Sequence, residues 1–287
     1  MDSLDEALRA AVSTLADAGV PSPRADAELL AAHLLGESVG RVRALALVGA
    51  AAPEGFGELV AERARRVPLQ HITGVAYFRG LELAVGPGVF IPRPETETVA
   101  QLAIDAARLI PGARVADLGT GSGAIAGSVA QEVPDALVFA VELSDLAFAW
   151  AERNLTPFGV TLVRADYAEA LTEHNGTFDV VVSNPPYIPT EAVPREPEVA
   201  EHDPDMALYG GSADGLRLPL AAAASAARLL KPGGYFVMEH AEVQATALAA
   251  ILGADPSWTT VLTHQDLSGR DRATSATRTD MPLDGRK

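Results

Sequence analysis

Residues 113–130 read ARVADLGTGSGAIAGSVA, and this stretch decides the fold. An apolar strand ends at Asp117, three glycines follow at alternate positions (Gly119, Gly121 and Gly123), and a helical segment begins directly after them. A strand, a glycine-rich turn and a helix in this order are typical of the first unit of an open α/β nucleotide-binding sheet. The turn alone is a weak signal, because several kinds of nucleotide cofactor bind to such a turn.

Outward from this turn, helical and strand-like segments alternate along the rest of the chain. Strands are predicted at 136–142, 160–166, 178–184, 233–240, 259–267 and 272–278, and helices at 95–110, 124–133, 145–155, 215–230 and 242–252. Such alternation specifies an α/β sheet of mostly parallel strands with helices on both faces. No helical segment separates the last two strands, which predicts a hairpin and therefore one antiparallel strand.

The first 68 residues differ, because their leucines and alanines recur at helical spacing throughout. Helices are predicted at 4–19, 22–36, 41–49 and 53–66, the second with Ser22 as N-cap, Pro23 in its first turn and Gly36 at its exit. Residues 77–97 alternate apolar and polar side chains around Gly86-Pro87-Gly88, which predicts a β-hairpin linker at 69–94. We therefore expect a helical domain (1–68), a hairpin linker (69–94) and an α/β domain (95–287).

Composition narrows the function classes. The chain has 287 residues, 48% of them hydrophobic, and no cysteine. Disulfides, thiolate metal sites and cysteine nucleophiles are therefore excluded, and no metal site is predicted. We find neither a signal peptide nor an apolar run that could span a bilayer, which predicts a cytoplasmic protein without membrane binding. The net charge of −16 disfavours stable nucleic-acid binding and suits a cationic cofactor or a basic protein partner better.

The polar residues at the ends of the first three strands indicate what kind of cofactor binds. The pattern D-x-G-x-G-x-G differs from the dinucleotide pattern G-x-G-x-x-G. Asp117 is awkward beside a pyrophosphate but can receive an ammonium, so a cofactor with an amino-acid moiety fits better than NAD. Glu142 ends the second strand, where a carboxylate can accept ribose hydroxyls. After the third strand, Asp166 could accept from an adenine amino group and Tyr167 could lie against the ring.

The fourth strand ends in Asn184-Pro185-Pro186-Tyr187, at the sheet edge where open α/β proteins bind ligands. The Asn184 side chain offers a carbonyl acceptor, and Pro186 restricts Pro185 to an extended backbone whose C=O still accepts. Two fixed acceptors can hold the two hydrogens of a planar –NH₂ group, and Tyr187 supplies an aromatic face beside it. The segment therefore predicts a site for methyl transfer to an amide or exocyclic amine nitrogen.

Two substrate classes fit such a site: an adenine or cytosine amino group in nucleic acid, and a glutamine amide in a protein. An enzyme that extrudes a base from DNA needs a basic recognition region. The small N-terminal domain is rich in alanine and leucine and has no run of lysine or arginine, and the whole chain is acidic. Both observations favour the protein amide.

From about residue 95 onward, the chain resembles the S-adenosylmethionine-dependent methyltransferases of the Rossmann-like class. The resemblance implies a seven-stranded sheet with the final strand inserted antiparallel, and S-adenosyl-L-methionine as the cofactor. It implies that Glu142 binds the ribose and that the other cofactor contacts are those of the glycine loop and its surroundings: Asp117, Gly119, Thr120, Gly121, Ser122, Gly123, Asp166, Tyr167 and Asn184.

A closer resemblance covers nearly the whole chain, on segments that occur in one family order: PLQHITG (68–74), VFIPRPETE (89–97), DLGTGSGAIA (117–126), NPPYIP (184–189), MALYGGSADGL (206–216) and DLSGRDR (266–272). The chain is similar to release-factor glutamine N5-methyltransferases of the HemK/PrmC type. That implies methylation of the glutamine in the Gly-Gly-Gln loop of class 1 release factors. We expect the enzyme to be a monomer.

In that family, Asn184 and Pro185 hold the amide, Pro186 and Tyr187 complete the site, and the helical domain is expected to dock the substrate. The intact segment Arg93–Glu97 favours the release-factor branch. A ribosomal-protein glutamine or a DNA adenine N6 remains the alternative substrate.

Overall fold

The protein is described by a computed structural model that covers residues 3–280. Residues 1–2 and 281–287, which the sequence analysis assigns to the first and last domains, lie outside the described residues. The chain forms two compact units. One comprises the chain up to Val75 and the segment Pro194–His202; the other comprises Ala76–Val193 and the chain from Asp203.

The first unit contains five helices in its N-terminal part: α1 (Leu4–Asp17), α2 (Pro23–Leu35), α3 (Val39–Leu47), α4 (Phe56–Ala64) and α5 (Leu69–Thr73). Their apolar faces meet in one core around Leu15, Leu30 and Phe56. Gly36 ends α2 in the left-handed conformation, as predicted. Ser22 occupies the N-cap position of that helix, but its side chain makes no capping hydrogen bond.

A two-stranded hairpin, β1 (Val75–Phe78) and β2 (Leu81–Ala84), follows α5. Its turn lies at Arg79-Gly80, with φ of 47° and 78°, so the turn predicted at Gly86-Pro87-Gly88 is wrong. Arg79 is tied down at both ends in this unusual conformation: its backbone amide donates to Glu97 Oε1 at 3.2 Å, and its Nε donates to Glu132 Oε1 at 2.8 Å. The glycines at 86 and 88 serve packing instead. A Cβ there would approach Trp150 to 2.6 Å and Leu146 to 2.7 Å, respectively.

The second unit is built on a seven-stranded sheet. The strands are β3 (Arg114–Leu118), β4 (Leu137–Glu142), β5 (Thr161–Arg164), β6 (Phe178–Ser183), β7 (Leu230–Glu239), β8 (Trp258–Gln265) and β9 (Asp271–Arg278). Their order is β5-β4-β3-β6-β7-β9-β8. Strands β3 to β7 pair in parallel, and β9 lies between β7 and β8, antiparallel to both. The predicted mostly parallel sheet with an inserted final strand is confirmed.

Within the described residues, seven further helices follow the hairpin: α6 (Thr96–Arg108), α7 (Ala124–Glu132), α8 (Asp145–Leu155), α9 (Pro197–His202), α10 (Asp205–Leu208), α11 (Arg217–Leu229) and α12 (Ala245–Ala254). Successive strand residues enter different cores, as the two-residue period of a strand requires. Val115 packs with α6, α7 and α8, whereas Ala116 packs with α11 and α12. Within residues 3–280, no helix has the length and apolarity needed to cross a membrane.

The strand order creates a crevice at one edge of the sheet. From β3 the chain builds outward through β4 to β5, and it then returns to place β6 on the other side of β3. Ligands of open α/β sheets bind where the strand order reverses, beyond the carboxyl ends of the strands. The loops after β3 and β6 therefore meet at this position.

The segment Pro194–His202, part of the first unit, is fixed by a buried ion-pair cluster. Glu198 accepts from Arg66 at 2.8 and 2.6 Å and pairs with Arg63 at 2.8 Å. Arg63 is itself buried and donates to Asp26 at 2.7 Å. Burial acts to raise the pKa of Glu198, but hydrogen bonds from the two guanidinium groups outweigh it and hold the pKa at about 2.

Replacing Glu198 by glutamine tests this cluster. We expect Glu198→Gln to lower the free energy of unfolding of the first unit by about 1–3 kcal/mol at neutral pH, because two arginines lose their counter-charge. The folded pKa lies below the ordinary value of 4.5, so the stabilisation is present above that pH and is lost as the pH falls towards about 2.

Hydrogen exchange of the amides of α4 and α9 measures this effect separately from the second unit. Glu201→Gln, at an exposed position of the same helix, is the matched control and should leave protection unchanged. Equal loss of protection in both variants, or a difference that persists undiminished at about pH 3, would contradict the assignment.

Candidate active site

The loop after β3 is shaped by its three glycines. Gly119, Gly121 and Gly123 all have positive φ, of 76°, 57° and 86°. A Cβ at Gly123 would lie 2.8 Å from Leu155 Cγ, whereas a Cβ at Gly121 would meet open space among the described residues. The amides of Gly119 and Thr120 both donate to the Val141 carbonyl at 2.9 Å, which ties the loop to the end of β4. Glycine is thus required by the backbone, and the face at Gly121 stays open.

Asp117 lies beneath this loop and is 1% exposed. Its Oδ2 accepts from the Thr120 hydroxyl at 2.6 Å and from the Ala126 amide at 3.1 Å. Its Oδ1 is buried without a hydrogen-bond partner in the part of the chain that the structure describes. Burial raises the pKa of Asp117 to about 7, although both hydrogen bonds act in the opposite direction. An unpaired buried carboxylate oxygen is costly, and a cationic ligand would relieve it.

Glu142, the last residue of β4, braces the same loop from the other side. Its Oε2 accepts from the Gly121 amide at 2.9 Å, and its Oε1 accepts from the amides of Leu143 at 2.9 Å and Ser144 at 2.8 Å. Burial raises its pKa, and these three backbone donors oppose the rise. Three of about four acceptor positions are therefore occupied, so one remains for a ligand hydroxyl.

The loop after β5 brings Tyr167 beside the glycine loop. The Tyr167 ring lies 3.8 Å from where a Cβ of Gly119 would stand, and its hydroxyl donates to the Leu218 carbonyl at 3.1 Å. Burial raises the pKa of this hydroxyl, so it remains a donor. Asp166 is exposed, and its Oδ1 accepts from the Ala168 amide at 2.8 Å in a tight turn. Ser122 is buried at the other side of the loop, where its carbonyl accepts from Asn154 at 2.8 Å.

Strand β6 is buried along its whole length and delivers Asn184 next to this loop. Ser183 pairs with Leu118 in the sheet, and its hydroxyl donates to the Leu118 carbonyl at 2.6 Å. Beyond it, Asn184 Nδ2 donates to Thr96 Oγ1 at 3.2 Å. The Asn184 Oδ1 and the Pro185 carbonyl accept no hydrogen bond from residues 3–280. Two acceptors thus remain available at the carboxyl end of β6.

Tyr187 and the backbone behind it are held from two sides. The Tyr187 hydroxyl donates to Glu239 Oε1 at 3.1 Å, and burial raises its pKa. The Tyr187 carbonyl accepts from Gln244 Nε2 at 2.9 Å, and the same nitrogen donates to the Asp214 carbonyl at 2.8 Å. Gly215 must be glycine, because a Cβ there would stand 2.1 Å from the Tyr187 carbonyl oxygen. The segment MALYGGSADGL (206–216) therefore packs against the backbone of the Asn-Pro-Pro-Tyr turn and helps to hold it in place.

The segment DLSGRDR (266–272) supplies charged side chains near the Asn-Pro-Pro-Tyr turn. Asp266 accepts hydrogen bonds from the backbone and side chain of Ser268, which keep its pKa below its usual range, and from Arg272 Nε at 3.2 Å. Arg272 in turn stabilises the negative charge of Glu239, a residue that is 1% exposed. Burial raises the pKa of Glu239 to about 7, and the hydroxyls of Thr96 and Tyr187 act against this rise.

The structure therefore gathers the predicted residues into two neighbouring groups at one sheet edge, one after β3 to β5 and one after β6. Sequence reasoning did not assign chemistry to Thr96, Glu239 or Gln244. Thr96 lies inside the segment VFIPRPETE, whose order in the chain was noticed but whose contacts depend on distant strands. In the sequence, each of these three residues is a polar residue near the end of a helix or strand. Such a position alone does not identify a hydrogen-bond partner.

Comparisons with known proteins agree with this arrangement. The PrmC N-terminal domain family matches residues 6–74, and the methyltransferase small domain family matches residues 81–197. A release factor glutamine methyltransferase of Streptomyces coelicolor is 49% identical over 93% of this chain and 95% of its own. A release factor glutamine methyltransferase of Mycolicibacterium smegmatis is 46% identical over 97% of this chain and 99% of its own.

Two further similarities show how widely this architecture is used. The 4-amino-L-phenylalanine/4-methylamino-L-phenylalanine methyltransferase of Streptomyces pristinaespiralis is 40% identical over 89% of each chain. The solved hMettl16 catalytic domain in complex with the MAT2A 3'UTR hairpin 6 is 15% identical, covers 79% of this chain and 84% of that chain, and gives a TM-score of 0.55. The second likeness shows the fold alone.

The sheet with its inserted antiparallel strand, the glycine loop after β3 and these matches define an S-adenosylmethionine-dependent methyltransferase of class I. Identity above 40% over almost the entire chain goes further. The chain belongs to the release factor glutamine methyltransferase family.

The residues present fit S-adenosyl-L-methionine. Its methionine end carries an ammonium, and the unpaired Oδ1 of Asp117 is an acceptor of the required charge. The open face at Gly121 gives room for a ligand against the backbone, and Glu142 retains one acceptor position. The individual roles of Asp117, Glu142, Asp166 and Tyr167 toward the cofactor remain predictions.

The affinity for S-adenosylmethionine should depend on the protonation of Asp117. Because its pKa is raised to about 7, the group is neutral below that pH and attracts the ammonium less. We expect affinity to rise with pH through about 7, by up to about tenfold per pH unit on the acid side. Calorimetric titration between about pH 5.5 and 7.5 measures this dependence.

Two variants identify the group responsible. Asp117→Asn should bind the cofactor more weakly and without the acid limb, whereas Glu142→Gln should bind more weakly and keep it. A wild-type affinity that is constant across the range would show that Asp117 does not face the ammonium.

Proposed function

We propose that this enzyme methylates the side-chain amide nitrogen of the glutamine in the Gly-Gly-Gln loop of class 1 peptide chain release factors. The observation that carries this proposal is the pair of available acceptors, Asn184 Oδ1 and the Pro185 carbonyl, beside the glycine loop. The release factor relatives support the substrate, since two of them are 46% and 49% identical to this chain.

The acceptors act on a poor nucleophile. An amide nitrogen shares its lone pair with the carbonyl and is therefore a weak nucleophile. It gains positive charge as its bond to the methyl group forms. Asn184 and Pro185 would accept from its two hydrogens and stabilise that charge, each bond contributing about 1.5–3 kcal/mol. Pro186 limits the backbone freedom of Pro185, and Tyr187 would pack beside the planar amide.

When bound, S-adenosylmethionine supplies a sulfonium methyl group, so that a carbon–nitrogen bond forms as the carbon–sulfur bond breaks. The nitrogen then loses one proton to give the neutral N5-methyl amide. Asp117 would hold the ammonium of the donor, Glu142 a ribose hydroxyl, and Asp166 and Tyr167 the adenine. Asn184 follows β6 directly, next to the strand β3 that leads into the glycine loop, so it would lie between the two groups of residues.

Other acceptors are less well supported. The comparisons favour a release factor over a ribosomal-protein glutamine or a DNA adenine N6. The relative named for an amino-phenylalanine is 40% identical, so an aromatic amine is a useful competitor in a substrate test. Cytoplasmic location and a monomeric state are part of the proposal.

Methyl-labelled cofactor distinguishes these substrates directly. We expect the enzyme to label intact release factor, to leave its Gly-Gly-Gln→Gly-Gly-Ala variant unlabelled, and to leave DNA, ribosomal protein and 4-amino-L-phenylalanine unlabelled. Preferential label on any of the last three would reject the proposed substrate.

A second enzyme preparation shows that the label depends on this site. Asn184→Ala should lose about 100-fold or more in kcat, as expected when one preorganised hydrogen-bonding group is removed. Asn175→Ala, an exposed asparagine in the same unit, is the matched control and should retain wild-type turnover.

The first unit is proposed to dock the body of the release factor. Leu47 and Val48, at the end of α3, are 89% and 78% exposed. Adjacent exposed apolar side chains are a feature of surfaces that bind a protein partner. We expect Leu47→Gln with Val48→Gln to raise the KM for intact release factor several-fold, while kcat and the methylation of an isolated Gly-Gly-Gln peptide stay unchanged. Steady-state kinetics on both substrates measure the difference.

Leu109→Gln serves as the control for this surface, because Leu109 is 82% exposed and lies in the second unit. Docking through the end of α3 is excluded if the double variant and the control give the same KM for intact release factor.

A further inference from the structure

One buried glutamine ties together three segments of the chain around the Asn-Pro-Pro-Tyr turn. Gln244, in the connection between β7 and α12, is 5% exposed. Its Nε2 donates to the Tyr187 carbonyl at 2.9 Å and to the Asp214 carbonyl at 2.8 Å. Its Oε1 accepts from the Ala241 amide at 3.1 Å. Both hydrogens of the side-chain amide and its oxygen are therefore used.

These three hydrogen bonds fix the orientation of the Gln244 amide. A carbonyl oxygen can only accept, so both of the carbonyls that face Nε2 require a donor. If the amide were turned over, its oxygen would face two carbonyl oxygens, and its NH₂ would face the Ala241 N–H. An ionised carboxylate at this position has no hydrogen to donate to either carbonyl. Neither a carboxylate nor an apolar side chain of similar length can therefore replace this glutamine.

The side chain of Tyr187 is held from the same connection. Its hydroxyl donates to Oε1 of Glu239, the last residue of β7, at 3.1 Å. The backbone of Gly215 lies close to the Tyr187 carbonyl, because a Cβ there would stand 2.1 Å from that oxygen and 2.9 Å from Gln244 Nε2. Tyr187 is thus anchored at its side chain and at its backbone, and the space around its carbonyl is filled.

The two prolines carry this anchoring to the predicted acceptor. The pyrrolidine ring holds φ of Pro186 near about −65°, and it also restricts Pro185 to an extended backbone. Few rotatable bonds therefore separate the carbonyls of Pro185 and Tyr187, so fixing the second carbonyl restricts the direction of the first. We infer that Gln244 is a positioning residue, which aims the Pro185 carbonyl at the substrate amide by holding Tyr187. The inference rests on the proposed function, since it assumes that this carbonyl accepts from the amide.

Replacement of Gln244 tests this role in the full-length enzyme with intact release factor as substrate. We expect Gln244→Met, which keeps the length but loses every hydrogen bond, to lower kcat about 10- to 100-fold. Gln244→Glu should lose as much, because its ionised carboxylate cannot donate to the two carbonyls. Gln131→Met, at an exposed position of α7, is the matched control and should retain the wild-type kcat.

Binding of S-adenosylmethionine separates a positioning role from a loss of folded enzyme. In calorimetric titration, both Gln244 variants should keep the wild-type number of binding sites and a dissociation constant within about twofold of wild type. A wild-type kcat in Gln244→Glu would overturn the inference. A loss of cofactor affinity as large as the loss of kcat would also overturn it, since Gln244 would then act on the whole fold.

Hydrogen exchange measured by NMR tests the same anchoring without turnover. The Ile188 amide, next to Tyr187, donates to the Leu208 carbonyl at 2.8 Å. We expect Gln244→Met to reduce the protection of this amide, whereas Gln131→Met keeps it, and unchanged protection in Gln244→Met would overturn the inference. Failure of the proposed function gives a different result, namely a wild-type enzyme that does not label release factor. The exchange of the Ile188 amide then tests whether Gln244 anchors the turn.

Discussion

The site depends on the fact that β3 and β6 are neighbours that end at the same level. Leu118 and Ser183 are paired in the sheet, and the Ser183 hydroxyl donates to the Leu118 carbonyl at 2.6 Å. One residue further along β6 stands Asn184, and directly after Leu118 begins the glycine loop. A shift of one residue in this register would turn every side chain of β6 to the other face of the sheet. The residues that are predicted to bind the methyl donor and the acceptor meet because this register is fixed by a fully buried strand.

Much of the fold could be predicted from the sequence, because its long elements have clear periodicity. Helix α8 was expected at residues 145–155 and is found there, with Ser144 as its N-cap. Short elements were missed, since one turn of helix has no periodicity of its own. Helix α9 is held by Glu198 and two distant arginines, and the turn at Arg79 is held by Glu132, 53 residues away. Such tertiary partners override the local preference that places a hairpin turn at Gly-Pro-Gly.

The candidate site, like the fold, was predictable in part. Asp117 near the end of β3, Glu142 at the end of β4 and Asn184 directly after β6 were predicted as site residues, because the carboxyl ends of parallel strands share one edge. The contacts of Thr96 and Glu239 were not predicted, because these residues bond to Asn184 and Tyr187 across 88 and 52 residues of sequence. A threonine at the start of a helix is ordinary, and only the fold shows that Asn184 donates to it.

Three buried carboxylates of the site share one electrostatic property. Burial raises the pKa of Asp117, Glu142 and Glu239, and all three lie in the same unit of the fold. A raised folded pKa means that stability is greatest at low pH and is lost as the pH rises through that pKa, so the ionised carboxylates destabilise the fold at neutral pH. Arg272 offsets this charge beside Glu239, whereas the ammonium of the methyl donor is predicted to offset the charge of Asp117. If the predicted role of Asp117 holds, part of the net charge of −16 lies where it attracts a positively charged methyl donor.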